Sequence, residues 1–374
     1  MSIHLAGGVL SQVRRPQRVE GLPIGCAVLP GVIHLVQFQK QGGRVLAATH
    51  PLPGSEIGSE EWWSGLDQAL TEILPDWPFA GRALVLSCPP LARAVKCLEL
   101  PLMSDEEIAR AAVWQLAKDL NVQAGDLTCQ ALSLKGILKE EPANKLEAIT
   151  FSAPTRTLCR LADVMVSHGL EPVAIDDPLC AVARGIDAGS PRAGSPKDDT
   201  LAIVEMAGPE SLLAIVRGGD LRLVRRIGLG VAAFDQNVAK RLNVDVVQAR
   251  SMRLSAAADP RITAAVDQAI ALAGQEIARE LVMTVRHHMA RSCDGWPMGG
   301  ILLAPEDLAP LADAIGAHVG IQFNPPLALP GAGWGQLDPA VIASTSRRPQ
   351  DWFIAVGLAL YGAQPTWPGA EEAA

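Results

Sequence analysis

At 374 residues the chain is long enough for two lobes of ordinary domain size, and a hydrophobic fraction of 49% with only 4% aromatics predicts aliphatic cores of helices packed on strands. A formal net charge of −8 excludes a general affinity for nucleic acid, and no apolar run reaches the roughly 18 residues that span a bilayer. The seven scattered cysteines, free of any Cys-x-x-Cys spacing, exclude a disulfide framework and a zinc cluster and fit a reducing compartment.

Residues 1–19 place Arg14, Arg15 and Arg18 behind a weakly apolar start, the reverse of a secretory leader, and read as a basic tail. Gly25 to Phe38 reads as the first strand and Gly43 to Pro53 as the second, joined by a turn at Gly42-Gly43. A helix is predicted from about Ser59 to Ile73, with Trp62, Leu66, Leu70 and Ile73 near helical spacing. Short strands follow at Arg82–Cys88 and Ala94–Leu100. Ser104-Asp105-Glu106-Glu107 is a capping box, opening a helix whose apolar face is Ile108, Ala112, Leu116 and Leu120. A strand at Ala148–Ser152, a helix at Thr155–His168 stopped by Gly169, and a strand at Val173–Asp176 complete the first half.

The Gly/Ser/Pro-rich run from Gly185 to Asp199 is the sharpest composition shift and marks the lobe boundary. Beyond it, Leu201–Met206 and Ser211–Arg217 form a second hairpin, turned by Gly218-Gly219 into Leu221–Arg226. Helices are predicted at Val231–Leu242 and Ile262–Ala290, then a strand at Gly300–Ala304, a helix at Leu308–Ile315 and a last helix at Asp351–Tyr361. The expected organisation is a tail (1–19), a first lobe (20–190) carrying an inserted subdomain at about 97–172, a linker (191–199), a second lobe (200–364) and a C-terminal tail (365–374).

Several ordered blocks resemble the type IV pilus assembly PilM family, including its members of the mannose-sensitive haemagglutinin pilus. They are Leu98-Glu-Leu-Pro-Leu-Met-Ser-Asp-Glu-Glu-Ile, His168-Gly-Leu-Glu-Pro-Val-Ala-Ile-Asp with Cys180-Ala-Val-Ala-Arg, Arg225-Arg-Ile-Gly-Leu-Gly, and Val356-Gly-Leu-Ala-Leu-Tyr-Gly. The resemblance spans roughly residues 20–364 in consistent order, which gives it more weight than any one short motif. It implies an α/β, actin-like (ribonuclease H-like, duplicated) two-lobed fold with an α+β subdomain inserted in the first lobe.

Actin-type ATPases offer backbone amides and hydroxyls from two hairpin turns to the phosphates, with acids that organise the metal. The positions matching the first turn are Ala27, Leu29 and Pro30: no carboxylate, a restricted backbone, and no amide to donate. In the second turn Glu205 replaces the family's Asp, Ala207 its Gly and Ser211 its Thr, while Gly208 keeps an approachable amide. Ala304-Pro305 stands where the adenosine turn has two glycines. Asp176 remains at the interlobe acidic position. The residual nucleotide cleft is therefore Glu205, Gly208, Ser211 and Asp176. No cofactor is expected, and the alternative, an ATPase or kinase with a rebuilt site, would take ATP with magnesium. His287-His288 near Cys293 is not read as a metal site, because neighbouring helical residues point about 100° apart. No Gly-x-Ser-x-Gly elbow or Walker pattern occurs.

The resemblance implies a non-catalytic scaffold, cytoplasmic and held at the inner membrane by a partner: the cytoplasmic N-terminal tail of a PilN-like membrane protein. Pilus motor ATPases and a homo-oligomer are further candidate partners. A cytoplasmic platform component of type II secretion is the remaining alternative, disfavoured by the lack of an apolar span. The tail is expected in a seam between the inserted subdomain and the first lobe, at Ser87, Val95, Leu98, Leu100 and Ile108.

Overall fold

The computed structural model describes residues 22–39, 44–53, 57–89, 93–134, 137–139, 144–189, 200–206, 208, 210–254, 259–324, 329–331 and 334–362. The predicted basic tail, the Gly42-Gly43 turn, Ala207, the 191–199 linker and the 365–374 tail lie outside them. The chain divides into two compact units.

The first unit opens with β1 (Ile24–Leu29) and β2 (Val32–Phe38), an antiparallel hairpin with Leu29 opposite Val32. The segment expected as one strand is thus two. Pro30 has no ladder donor and Gly31 takes φ +80°, so the run turns back at these residues. β3 (Val45–Pro51) pairs with β2, and α1 (Glu60–Ile73) starts where the Ser59 hydroxyl accepts the Trp62 amide. β4 (Ala83–Ser87) runs parallel to β1.

The insertion then forms its own sheet. β5 (Ala94–Pro101), α2 (Asp105–Leu120), β6 (Leu127–Ser133) and β7 (Lys145–Pro154) give the strand order β5-β7-β6, with α2 packed on one face. The capping box is present as read: the Ser104 amide donates to Glu107 Oε2 at 2.9 Å. The helix stops on Asn121 in the left-handed region, φ +54°.

α3 (Thr155–Ser167) returns to the main body, and β8 (Glu171–Asp176) completes a five-stranded sheet, β3-β2-β1-β4-β8. Leu158, Leu161 and Met165 of α3 join Trp62, Leu66 and Leu70 of α1 in one core. The insertion therefore closes at β7, earlier than the expected residue 172. α4 (Pro178–Gly189) carries helix into the start of the Gly/Ser/Pro-rich run, through Gly185 to Gly189, and ends before the expected linker.

In the second unit β9 (Thr200–Met206), β10 (Ser211–Arg217) and β11 (Asp220–Ile227) form an antiparallel meander. α5 (Val231–Leu242), α6 (Val246–Leu254) and the long α7 (Pro260–Arg291) follow, then β12 (Gly299–Leu303), parallel to β9, and α8 (Leu311–Val319). Phe234, Val238, Ile277, Leu281, Leu302 and Ile315 share its core. Lys139 also belongs here: its amide donates to Arg291 O at 2.8 Å and its amine to Met289 O at 2.9 Å, satisfying carbonyls at the end of α7.

α9 (Pro339–Arg347) and α10 (Pro349–Ala359) belong to the first unit, so the chain leaves the second unit well before residue 364. Every residue of α10 from Gln350 to Ala359 is buried, and the helix packs on β1, β2 and α4. Its approach needs two glycines: a Cβ at Gly357 would collide with the Ala181 carbonyl, and one at Gly25 with the Ala355 carbonyl. Sequence order alone assigned this helix to the wrong lobe, because a helix buried all round carries no mark of the core it fills.

Candidate functional site

The residues matched to the first phosphate turn lie at the β1–β2 corner. Ala27 is buried opposite His34, Leu29 ends its strand, and Pro30 stands exposed at the turn. Asp176 ends β8 and is buried. Its Oδ1 accepts the Asp177 amide at 2.8 Å and its Oδ2 the Arg184 guanidinium at 2.6 Å, while Arg184 donates a second bond to Gly357 O at 2.5 Å. The carboxylate thus ties β8 to α4 and, through Arg184, to α10. Asp177 caps α4 at the Leu179 amide and pairs with the buried Arg93 at 2.9 Å.

The other three residues of the expected cleft belong to the second unit. Glu205 is buried near the end of β9, between Leu212 of β10 and Leu303 of β12. Gly208 is half-buried in the turn. The Ser211 hydroxyl donates to Leu229 O at 2.5 Å and is committed to its own chain. Ala304 and Pro305 lead into a short helical turn whose Asp307 forms an ion pair with the buried Arg253 of α6. Arg253 also holds Asp235 of α5 at 2.7 Å. This knot was not anticipated: nothing in α6 marks Arg253 as the arginine that faces inward.

The five residues of the expected partner groove are all buried. Ser87 is fully buried and accepts the Val28 amide at 2.8 Å, and Val95 is buried. Leu98, Leu100 and Ile108 fill the insertion's own core with Ala112, Leu116, Ala131, Leu146 and Ala148. In β5 the side chains alternate, so Leu98 and Leu100 point inward and the exposed positions are Cys97, Glu99 and Pro101. None of the five expected residues offers a side chain to a partner.

A surface cleft of about 370 Å³ does open in the first unit, where the first turns of α1 and α3 meet the two ends of the insertion. Trp62 and Trp63 lie on its α1 side, Arg156 and Arg160 on its α3 side, with Ile57 and Pro89 closing it. Arg160 grips Glu60 with both guanidinium nitrogens, at 2.7 and 2.6 Å, and lies 4.6 Å over the Trp63 ring. Hydrogen bonding from Arg160 holds the Glu60 carboxyl below the usual range, with Arg156 adding to the effect. The first turn of α3 carries no acid and begins at Pro154 without a side-chain cap. Trp62 is buried, and its indole N–H meets no acceptor among the described residues. Sequence reading used Trp62 only as a core marker, and the Glu60–Arg160 pair, a hundred residues apart, left no local trace.

Among the described residues no group of three His, Cys, Asp or Glu side chains could hold a metal ion. His287 is exposed while His288 is buried on Asp294 at 2.6 Å, as their helical spacing predicted. No described helix is long and apolar enough to cross a membrane.

Comparison with solved structures decides the architecture. A structure described as the PilM-PilN type IV pilus biogenesis complex matches with a TM-score of 0.65 and 20% identity, covering 93% of this chain and 100% of the other. The chain has an actin-like fold. The ethanolamine utilization protein EutJ from Carboxydothermus hydrogenoformans matches with a TM-score of 0.48 and 12% identity over 94% of this chain and 92% of that one. The activator of the 2-hydroxyisocaproyl-CoA dehydratase from Clostridium difficile, with bound ADPNP, gives 0.41 and 12% over 94% and 95%. No family model matches the sequence, and no curated protein does. The β1–β2 and β9–β10 corners hold the residues that the sequence matched to two phosphate turns, and the first corner carries Ala27 and Pro30, without an acid and with one amide fewer.

Proposed function

We propose that the chain is a degenerate actin-fold scaffold in the inner-membrane assembly platform of a type IV pilus or a related pilus, and that it binds the extended cytoplasmic tail of a PilN-like protein. The observation that carries this reading is the match over nearly the whole chain to a structure described as a PilM-PilN complex. It acts by binding and does not turn over ATP: Ala27 removes an acid, Pro30 removes a donor, and Ser211 and Asp176 spend their polar atoms inside their own units. The cleft between α1 and α3 replaces the buried seam residues as the docking place, since it offers open volume beside aromatic and cationic side chains.

The test is calorimetry of the full chain with a synthetic peptide copying the cytoplasmic tail of the single-span protein encoded beside its gene. Saturable one-to-one binding with roughly micromolar affinity is expected. A folded chain that gives no heat with that peptide overturns the reading.

A further inference from the structure

The charged side chains that line the α1–α3 cleft, Arg156 and Arg160, are both cationic. Arg156 is exposed at the start of α3 and Thr157 follows it; the first-turn amides of α3 lack a side-chain cap; the indole N–H of Trp62 has no acceptor among the described residues. The acceptor at the rim, Glu60, is already held at both oxygens by Arg160. Arg156 and Arg160 carry two positive charges and Glu60 one negative, which leaves one positive charge (2 − 1 = 1), reinforced by the positive end of the α3 dipole.

We propose that this cleft seats the carboxylate of an Asp or Glu side chain carried on an extended segment of a partner protein. One uncompensated charge matches a monoanion better than a phosphate. The walls favour a peptide over a free anion, because half-buried Ile57, lying beside the buried Trp63 and Pro89, offers apolar surface to the residues beside the acid, which a small anion would leave unused. Arg160 is fixed in advance by Glu60 below and Trp63 behind, so little side-chain freedom is lost when the segment docks. The inference rests on the scaffold reading only in taking the ligand to be a protein segment.

The probe is a random dodecapeptide library displayed on phage and selected on the full folded chain. Wild type is expected to enrich peptides with an Asp or Glu flanked by apolar residues. For the best of these, read by tryptophan fluorescence, changing the acid to its amide should weaken binding at least tenfold. Arg156→Gln and Arg156→Glu should do the same while leaving the melting temperature unchanged, because Arg156 is exposed. No enrichment, enrichment without acids, or indifference to the acid-to-amide change overturns the proposal. If the neighbouring tail peptide binds equally to wild type and Arg156→Gln, the scaffold reading stands and the carboxylate seat falls. If acidic peptides bind but the tail does not, the reverse holds.

Discussion

His34 stacks on Trp352 with ring centroids 4.2 Å apart and planes 25° from parallel, joining β2 to α10 in the core of the first unit. Its Nδ1 shares a hydrogen bond with Thr49 Oγ1 at 3.0 Å, and Arg348 lies near enough to oppose a second positive charge. Burial, and then Arg348, push the imidazole pKa down to about 3 from 6.5.

The depressed value fixes the sign of a pH effect. The folded ring stays neutral, whereas the unfolded ring gains a proton below about pH 6.5, so the stabilisation present above that value is lost progressively as pH falls toward 3. The slope from this group is at most about 1.4 kcal/mol per pH unit. Urea unfolding of wild type and His34→Phe should give parallel stability curves above pH 6.5 and a shallower fall for the variant below it. Equal slopes between pH 6 and 4 would remove His34 as the cause.

Asp176 is a structural brace by its contacts, so Asp176→Ala should cost about 3 kcal/mol in chemical denaturation, because it strands Arg184 against α10 and uncaps the Asp177 amide. A loss below about 1 kcal/mol would return the carboxylate to the list of groups free for other work.

Calorimetry with ATP and magnesium should show no saturable binding, because the β1–β2 corner has no acid at Ala27 and no amide at Pro30, and because Ala304-Pro305 follows β12 where glycines would leave room. A dissociation constant of roughly micromolar order would overturn this and favour the rebuilt-site alternative.

Leu98→Arg should unfold the insertion, costing about 3 kcal/mol or more, since it places an unpaired charge among Leu100, Ile108 and Leu116. Glu99→Gln, one residue along and exposed, removes only a surface pair with Lys145 and should stay within about 0.5 kcal/mol. Loss of partner binding by a Leu98→Arg chain that keeps wild-type stability would restore the buried-seam groove.

The sequence by itself determined the elements whose signals are local. The Ser104–Glu107 box opened α2, the spacing of Trp62, Leu66 and Leu70 gave α1, and the second hairpin and α5 were read within a residue or two. The ordered blocks also carried the actin-like architecture. Tertiary structure alone decided which faces met. Periodicity says that Leu98 and Leu100 share a side of β5, but not whether α2 or a partner covers it, and burial answered for α2. α10 packed on β1 and α4 because Gly25 lets it touch the first and Gly357 the second, a property of paired surfaces that no segment shows alone. The cleft arises in the same way: Glu60 and Arg160 meet only after the insertion has looped out and closed at β7, which sets α3 beside α1.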